Sequence, residues 1–156
     1  MGLDMFLNRK VFVGQQYDHR GVEGGCKFKI DGNEFECNNV SYVVIEGIYW
    51  RKSNQIHKWF VDNIQDGEDN CGTYYVPREA LEELYKTVKK VLESRSEETA
   101  EELLPTQAGF FFGDTEYDEY YWDDLEYTKK KLEEEFEWAD SVPDGFYAEW
   151  EYHSSW

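Results

Sequence analysis

The segment from Ile48 to Phe60, IYWRKSNQIHKWF, concentrates the side chains best suited to recognising a ligand. It passes from a β-branched, aromatic stretch into the start of a helix, and so gathers Trp50, Arg51, Lys52, Asn54, Gln55, His57 and Lys58 around one helix N-terminus. Free backbone N–H groups and the positive end of the helix dipole favour an anion there, and Arg51 or Lys52 would reinforce the site. Trp50 offers a surface on which a base or another ring can stack. On this reading the polar groups of the helix start face solvent or a pocket. The competing reading puts Trp50, Trp59 and Phe60 in the core and leaves Arg51, Lys52 and Lys58 as solvated charges balancing an acidic chain. His57 adds the side chain whose ordinary pKa suits proton transfer near neutrality. The other histidines, His19 and His153, sit in distant segments without an evident nucleophile or carboxylate partner.

A second segment, Leu103 to Trp122, LLPTQAGFFFGDTEYDEYYW, sets three phenylalanines between glycines and then Asp114, Glu116, Asp118 and Glu119 among tyrosines. Paired carboxylates are ligands for hard cations, but the calcium-loop spacing is missing, and acids at a helix start also suit the dipole. Thr106 and Gln107, just before Gly109, can point polar groups into a pocket walled by Phe111 and other aromatics. No GxSxG, HExxH, phosphate-loop or GxGxxG pattern occurs in the chain. The sequence therefore favours binding over catalysis and calls for no metal and no cofactor.

The elements that must position these groups follow from periodicity. Lys27 to Asn38 reads as a hairpin about a Gly32-Asn33 turn, with Ile30 opposite Phe35, Phe28 opposite Cys37 and Lys29 opposite Glu36. Residues 40–49 form a further strand. Ser53 is placed to cap a helix from about Asn54 to Gln65, with Ile56, Trp59, Phe60 and Ile64 on one face. Pro77 opens a second helix, in which Leu81, Leu84, Tyr85, Val88, Val91 and Leu92 keep helical spacing. Residues 97–103 add a short helical turn, and a third long helix runs from about Tyr117 to Ala139. Phe110 to Phe112 reads as a short strand, and Phe146 to Tyr152 alternates as a closing one. No internal repeat, linker or shift in composition divides residues 1–156. The expectation is a single α+β domain: a mainly antiparallel sheet with about three helices packed on it.

Charge narrows the partners. The chain of 156 residues carries a formal charge of −18, and the asymmetry is strong: residues 1–60 hold eight basic and seven acidic side chains, residues 61–156 eight and 27. Nucleic-acid affinity rests largely on Lys and Arg neutralising phosphates, so direct binding to DNA or RNA is disfavoured. Three cysteines, Cys26, Cys37 and Cys71, show no metal-ligand spacing and cannot all pair within the chain, which suits free thiols in a reducing compartment. The start, MGLDMFLNRK, has neither a leader's apolar run nor the full myristoylation pattern, and no stretch approaches a membrane span. The expected location is the cytoplasm.

Three longer stretches, GIYWRKSNQIHKWFVDNIQDG, LLPTQAGFFFGDTEYDEYY and the terminal YHSSW, together with the opening MGLDMFL, resemble in order a family of small uncharacterised proteins encoded by bacteriophages and prophages. The resemblance spans most of the chain. Some relatives carry a phosphoglycerate kinase label, which fits neither the length nor the absence of a phosphate loop. What the resemblance implies is a phage accessory protein at work in the host bacterial cytoplasm, where such proteins often counter defence by sequestering nucleotide signals or occupying a host protein.

Three functions follow in order. The first is a binding protein that holds a small, anionic, nucleotide-like ligand between the Trp50–Lys58 and Thr106–Phe112 segments. The second is an acidic inhibitor or DNA mimic whose carboxylates, Glu133 to Glu135 among them, meet a basic host protein. The third is a small enzyme acting on a phosphorylated molecule through His57. Oligomeric state is not encoded in any feature of the chain.

Overall fold

The computed structural model describes residues 2–14, 26–37, 40–144 and 146–156. In chain order the elements are β1 (Asp4–Phe12), β2 (Cys26–Ile30), β3 (Asn33–Cys37), β4 (Tyr42–Arg51), α1 (Asn54–Ile64), β5 (Thr73–Val76), α2 (Arg78–Ser94), α3 (Glu97–Leu103), α4 (Glu119–Ser141) and β6 (Ala148–Ser155). Four strands make an antiparallel sheet in the order β4-β1-β6-β5, and β2 and β3 form a separate two-stranded ribbon. The fold is α+β, as expected, and the four helices of the described residues are the three long ones with α3 as the short one expected over residues 97–103.

The sheet buries one face. Register aligns Met5 with Trp50 and Ser154, Leu7 with Ile48 and Tyr152, and Trp150 with Val76. Opposed residues share a face, and these side chains meet Ile56 and Phe60 of α1, Leu81, Leu84, Val88 and Val91 of α2, Ala100 of α3, and Leu125 and Leu132 of α4 in one core. Phe60 stacks on Tyr152 with centroids 3.9 Å apart. No helix among the described residues is long and apolar enough to cross a membrane.

The central strand β1 escapes a periodicity reading because Arg9 occupies an inward position and breaks the alternation. The fold accommodates it with Glu135 of α4, which is fully buried and accepts from Arg9 Nε at 2.8 Å, Arg9 Nη2 at 2.7 Å and Trp150 Nε1 at 2.9 Å. That carboxylate also explains why the bulge in β4 carries a glycine. Pairing slips between Leu7 and Asn8, leaving Gly47 as the extra residue, and a Cβ on Gly47 would lie 2.7 Å from Glu135 Oε1. Glu135 is thus an interior ion-pair partner, which corrects its place among the outward carboxylates of the acidic-inhibitor reading.

Other expectations shift. The ribbon turns on Asp31 and Gly32, both at positive φ (49° and 79°), so Phe28 opposes Phe35 and Lys29 opposes Glu34. This moves the expected register while keeping each residue on its expected face, and it follows from the preference of two-residue hairpins for left-handed central residues. Strand β5 was not legible in so short a run. Phe110–Phe112 is a turn: Phe112 N–H donates to Gly109 O at 3.1 Å, and Gly113 has φ 88°. Asp118 and Ser96 cap α4 and α3 with their side chains, whereas Ser53 makes no capping hydrogen bond to α1. Cys71 is a free, exposed thiol; the thiols of Cys26 and Cys37, and all of His19, lie outside the described residues.

Candidate functional site

The end of β4 brings the chain into a tight corner before α1. Lys52 takes a left-handed conformation, φ 58°, that a lysine rarely adopts. It is held by backbone bonds on both sides: Lys52 N–H donates to Leu3 O at 2.8 Å, and Asn54 N–H donates to Lys52 O at 2.9 Å. Backbone strain of this kind costs on the order of 1–3 kcal/mol and clusters at functional sites. Here it turns Arg51 and Lys52 toward the loop that follows α3.

Asn54 ties that loop down. Its Oδ1 accepts from Gln107 N–H at 2.9 Å, and its Nδ2 donates to Phe112 O at 3.0 Å and to Asp114 O at 2.9 Å. Thr106 Oγ1 adds a bond to Thr115 O at 3.0 Å, and the buried Tyr121 hydroxyl donates to Leu104 O at 2.9 Å. Segments some fifty residues apart in sequence are thereby fixed around a cavity of about 360 Å³. One wall is Arg51, Lys52, Asn54 and Gln55; the facing wall is Thr106, Gly113, Asp114 and Glu116; Asp118, Tyr120, Tyr121 and Asp124 of the α4 start complete it.

The electrostatics are mixed. Arg51 and Lys52 form no ion pair among the described residues. Four carboxylates share the lining with them. Burial holds the Asp124 carboxyl above its ordinary range, opposed by the Ser53 hydroxyl and by Gln55, whose Nε2 lies 3.4 Å from Asp124 Oδ2. Asp124 is thus a part-desolvated acceptor. No group of three or more metal-ligating side chains converges among the described residues.

Compared with known protein families, curated proteins and solved structures, the chain matches none.

Of the side chains singled out in the sequence, Arg51, Lys52, Asn54, Gln55 and Thr106 line the cavity, and Gln107 meets it through its backbone bond to Asn54. The others go elsewhere. Trp50 is a core residue whose Nε1 donates to Thr128 Oγ1 at 2.9 Å, so it offers no stacking surface. Phe111 receives Leu3 N–H on its carbonyl at 2.9 Å and does not line the cavity. Lys58 pairs with Asp62 at 2.7 Å along α1. The aromatic walls expected from Trp50 and Phe111 are instead Tyr120 and Tyr121.

His57 is fully buried and does not line the cavity, which corrects the expectation that it faces solvent or a pocket. Its Nε2 is 3.0 Å from Asp69 Oδ1 and its Nδ1 2.7 Å from the Tyr152 hydroxyl. A carboxylate only accepts, so Nε2–H donates to Asp69, and Nδ1 accepts from the Tyr152 O–H. Burial pushes the His57 pKa down, with Asp69 opposing. This neutral imidazole ties α1 to β6 and to the loop before β5. The sequence reading missed Asp124, which lies three residues after an apolar position of α4, and it named Asp114, Glu116 and Asp118 without placing them beside Arg51 and Lys52.

Proposed function

We propose that the chain is a binding protein for a small nucleotide-like ligand seated in the Arg51–Asp124 cavity. The observation that carries this reading is the convergence of two distant, polar segments on one cavity, in which Arg51 and Lys52 remain without carboxylate partners although four carboxylates line the same space. Guanidinium and ammonium groups without a carboxylate partner suit a phosphate. The carboxylates require hydrogen-bond donors from the same ligand, because an anion alone would meet repulsion there. A nucleotide whose base bears an amino group supplies both: phosphate toward Arg51 and Lys52, amino group toward Asp124, and ring against the exposed Tyr120. Holding a nucleotide without transforming it is the action of a sponge for nucleotide signals, the counter-defence role that the resemblance to phage accessory proteins implies. The position of His57 supports no phosphate chemistry.

The test is calorimetric titration of the protein with AMP, GMP and CMP, with UMP as the base lacking an amino group. The amino-bearing nucleotides should bind and UMP should bind more weakly. Arg51→Ala, and Lys52→Asn, which tolerates positive φ, should each weaken binding about ten- to hundredfold, the scale of a charge-assisted hydrogen bond. Arg51→Ala binding as the parent does would overturn the assignment.

A further inference from the structure

A second concavity, of about 260 Å³, lies where α4 ends and β6 begins, apart from the Arg51 cavity. Its rings come from Trp138, Phe146 and Trp150, its aliphatic surface from Val142 and Pro143, and its one charge from Asp144. Trp138 and Trp150 meet at 63° with centroids 6.0 Å apart. The carbonyl end of α4 adds partial negative charge, and its last turn holds no basic residue. No cation among the described residues lines the cleft.

The chain itself shows what such surroundings hold. Three of its arginines are each held by an aromatic ring and a carboxylate from α4. Arg9 lies 4.8 Å from the Trp138 centroid and bonds to Glu135. Arg78 lies 5.4 Å from the Phe136 centroid and bonds to Asp140 at 2.7 Å. Arg95 lies 5.4 Å from the Trp122 centroid and bonds to Glu126 at 2.9 Å. In each case ring and acid sit three or four positions apart on the helix, so both reach one planar guanidinium. The cleft offers the same two groups, Phe146 as the exposed ring and Asp144 as the acid, with the buried Trp150 behind them.

We infer that this cleft docks an arginine side chain presented by a basic protein partner. Its guanidinium lies against the exposed Phe146 ring within reach of Asp144, and its methylenes lie along Val142 and Pro143. Charge complementarity selects the occupant: a chain of formal charge −18 attracts a basic surface over several ångströms of solvent. The Arg9 guanidinium nearby does not oppose docking, because the two oxygens of Glu135 neutralise it.

The probe is the peptide acetyl-Gly-Gly-Arg-Gly-Gly-amide, with its citrulline counterpart as a neutral isostere, titrated while following the indole N–H resonances of the full-length protein. The arginine peptide should shift Trp138 and Trp150 saturably and leave Trp122 unmoved, and the citrulline peptide should shift neither. Asp144→Asn and Phe146→Ala, both changes at exposed positions, should each weaken binding about two- to fivefold, the scale of an exposed cation–π contact. Equal shifts at Trp122, or unchanged affinity in both variants, would reduce the effect to unspecific charge attraction and overturn the inference. Arg51→Ala should leave this titration as it is, so the two sites stand or fall separately.

Discussion

Asn54→Ala should loosen the candidate site more than any other single truncation in it. The side chain is buried and makes three hydrogen bonds to the backbone of the loop before α4, one accepted from Gln107 N–H and two donated to Phe112 O and Asp114 O. A methyl group replaces none of them. Each bond is worth about 1 kcal/mol net, so the loss is about 3 kcal/mol; at about 2–4 °C per kcal/mol for a protein of this size, Tm falls by about 6–12 °C. Asn54→Asp tests the same geometry differently. It keeps the acceptor for Gln107 but sets a carboxylate oxygen against two carbonyls, and it should be no more stable than the alanine variant. Urea unfolding gives the free energy, and native-state hydrogen exchange at the Gln107 amide reports the local release. A loss below about 1 kcal/mol, with the Gln107 amide protected as in the parent, would refute the clamp.

Asp124→Asn should raise stability at neutral pH, because burial holds this carboxyl above its ordinary range and its ionisation opposes folding. A raised folded pKa contributes stability that is present below the unfolded value and lost as pH rises through the folded one. The advantage of the Asn variant over the parent in thermal unfolding should therefore shrink on acidification, while nucleotide binding falls at every pH. For His57 the sign is reversed. Its folded pKa lies below the ordinary 6.5, so its contribution is intact above that value and is lost as pH falls, with a slope of up to about 1.4 kcal/mol per pH unit for one proton. His57→Gln should be less stable than the parent at pH 7.5 and should lose less on going to pH 5.5; a parallel loss in both proteins would sink the buried-histidine account.

The sequence by itself determined the class of the fold and most of its helices. Leu81, Leu84, Val88 and Val91 repeat at helical spacing, Pro77 and Asp118 stand at helix starts, and these are local properties that a chain carries wherever it folds. It also determined that the Arg51–Gln55 and Thr106 segments hold the polar groups of the candidate site, because arginine, lysine and asparagine at a helix start have a physical meaning before any neighbour is known. Only the tertiary structure decided which groups face inward. His57 and Glu135 read as ligand-facing or solvated in the sequence, and Trp50 read either as a stacking ring or as core. Burial reverses the first two and decides the third for the core, since each finds its partner far along the chain: Tyr152, Arg9 and Thr128. Strand β1 was hidden for the same reason, an inward arginine being tolerable only where a carboxylate 126 positions away meets it. The carboxylates of the cavity, Asp114, Glu116, Asp118 and Asp124, look like any acidic helix start until the α4 N-terminus is packed against α1. The decisive contacts are long-range, and the spacing of residues within one segment carries no record of them.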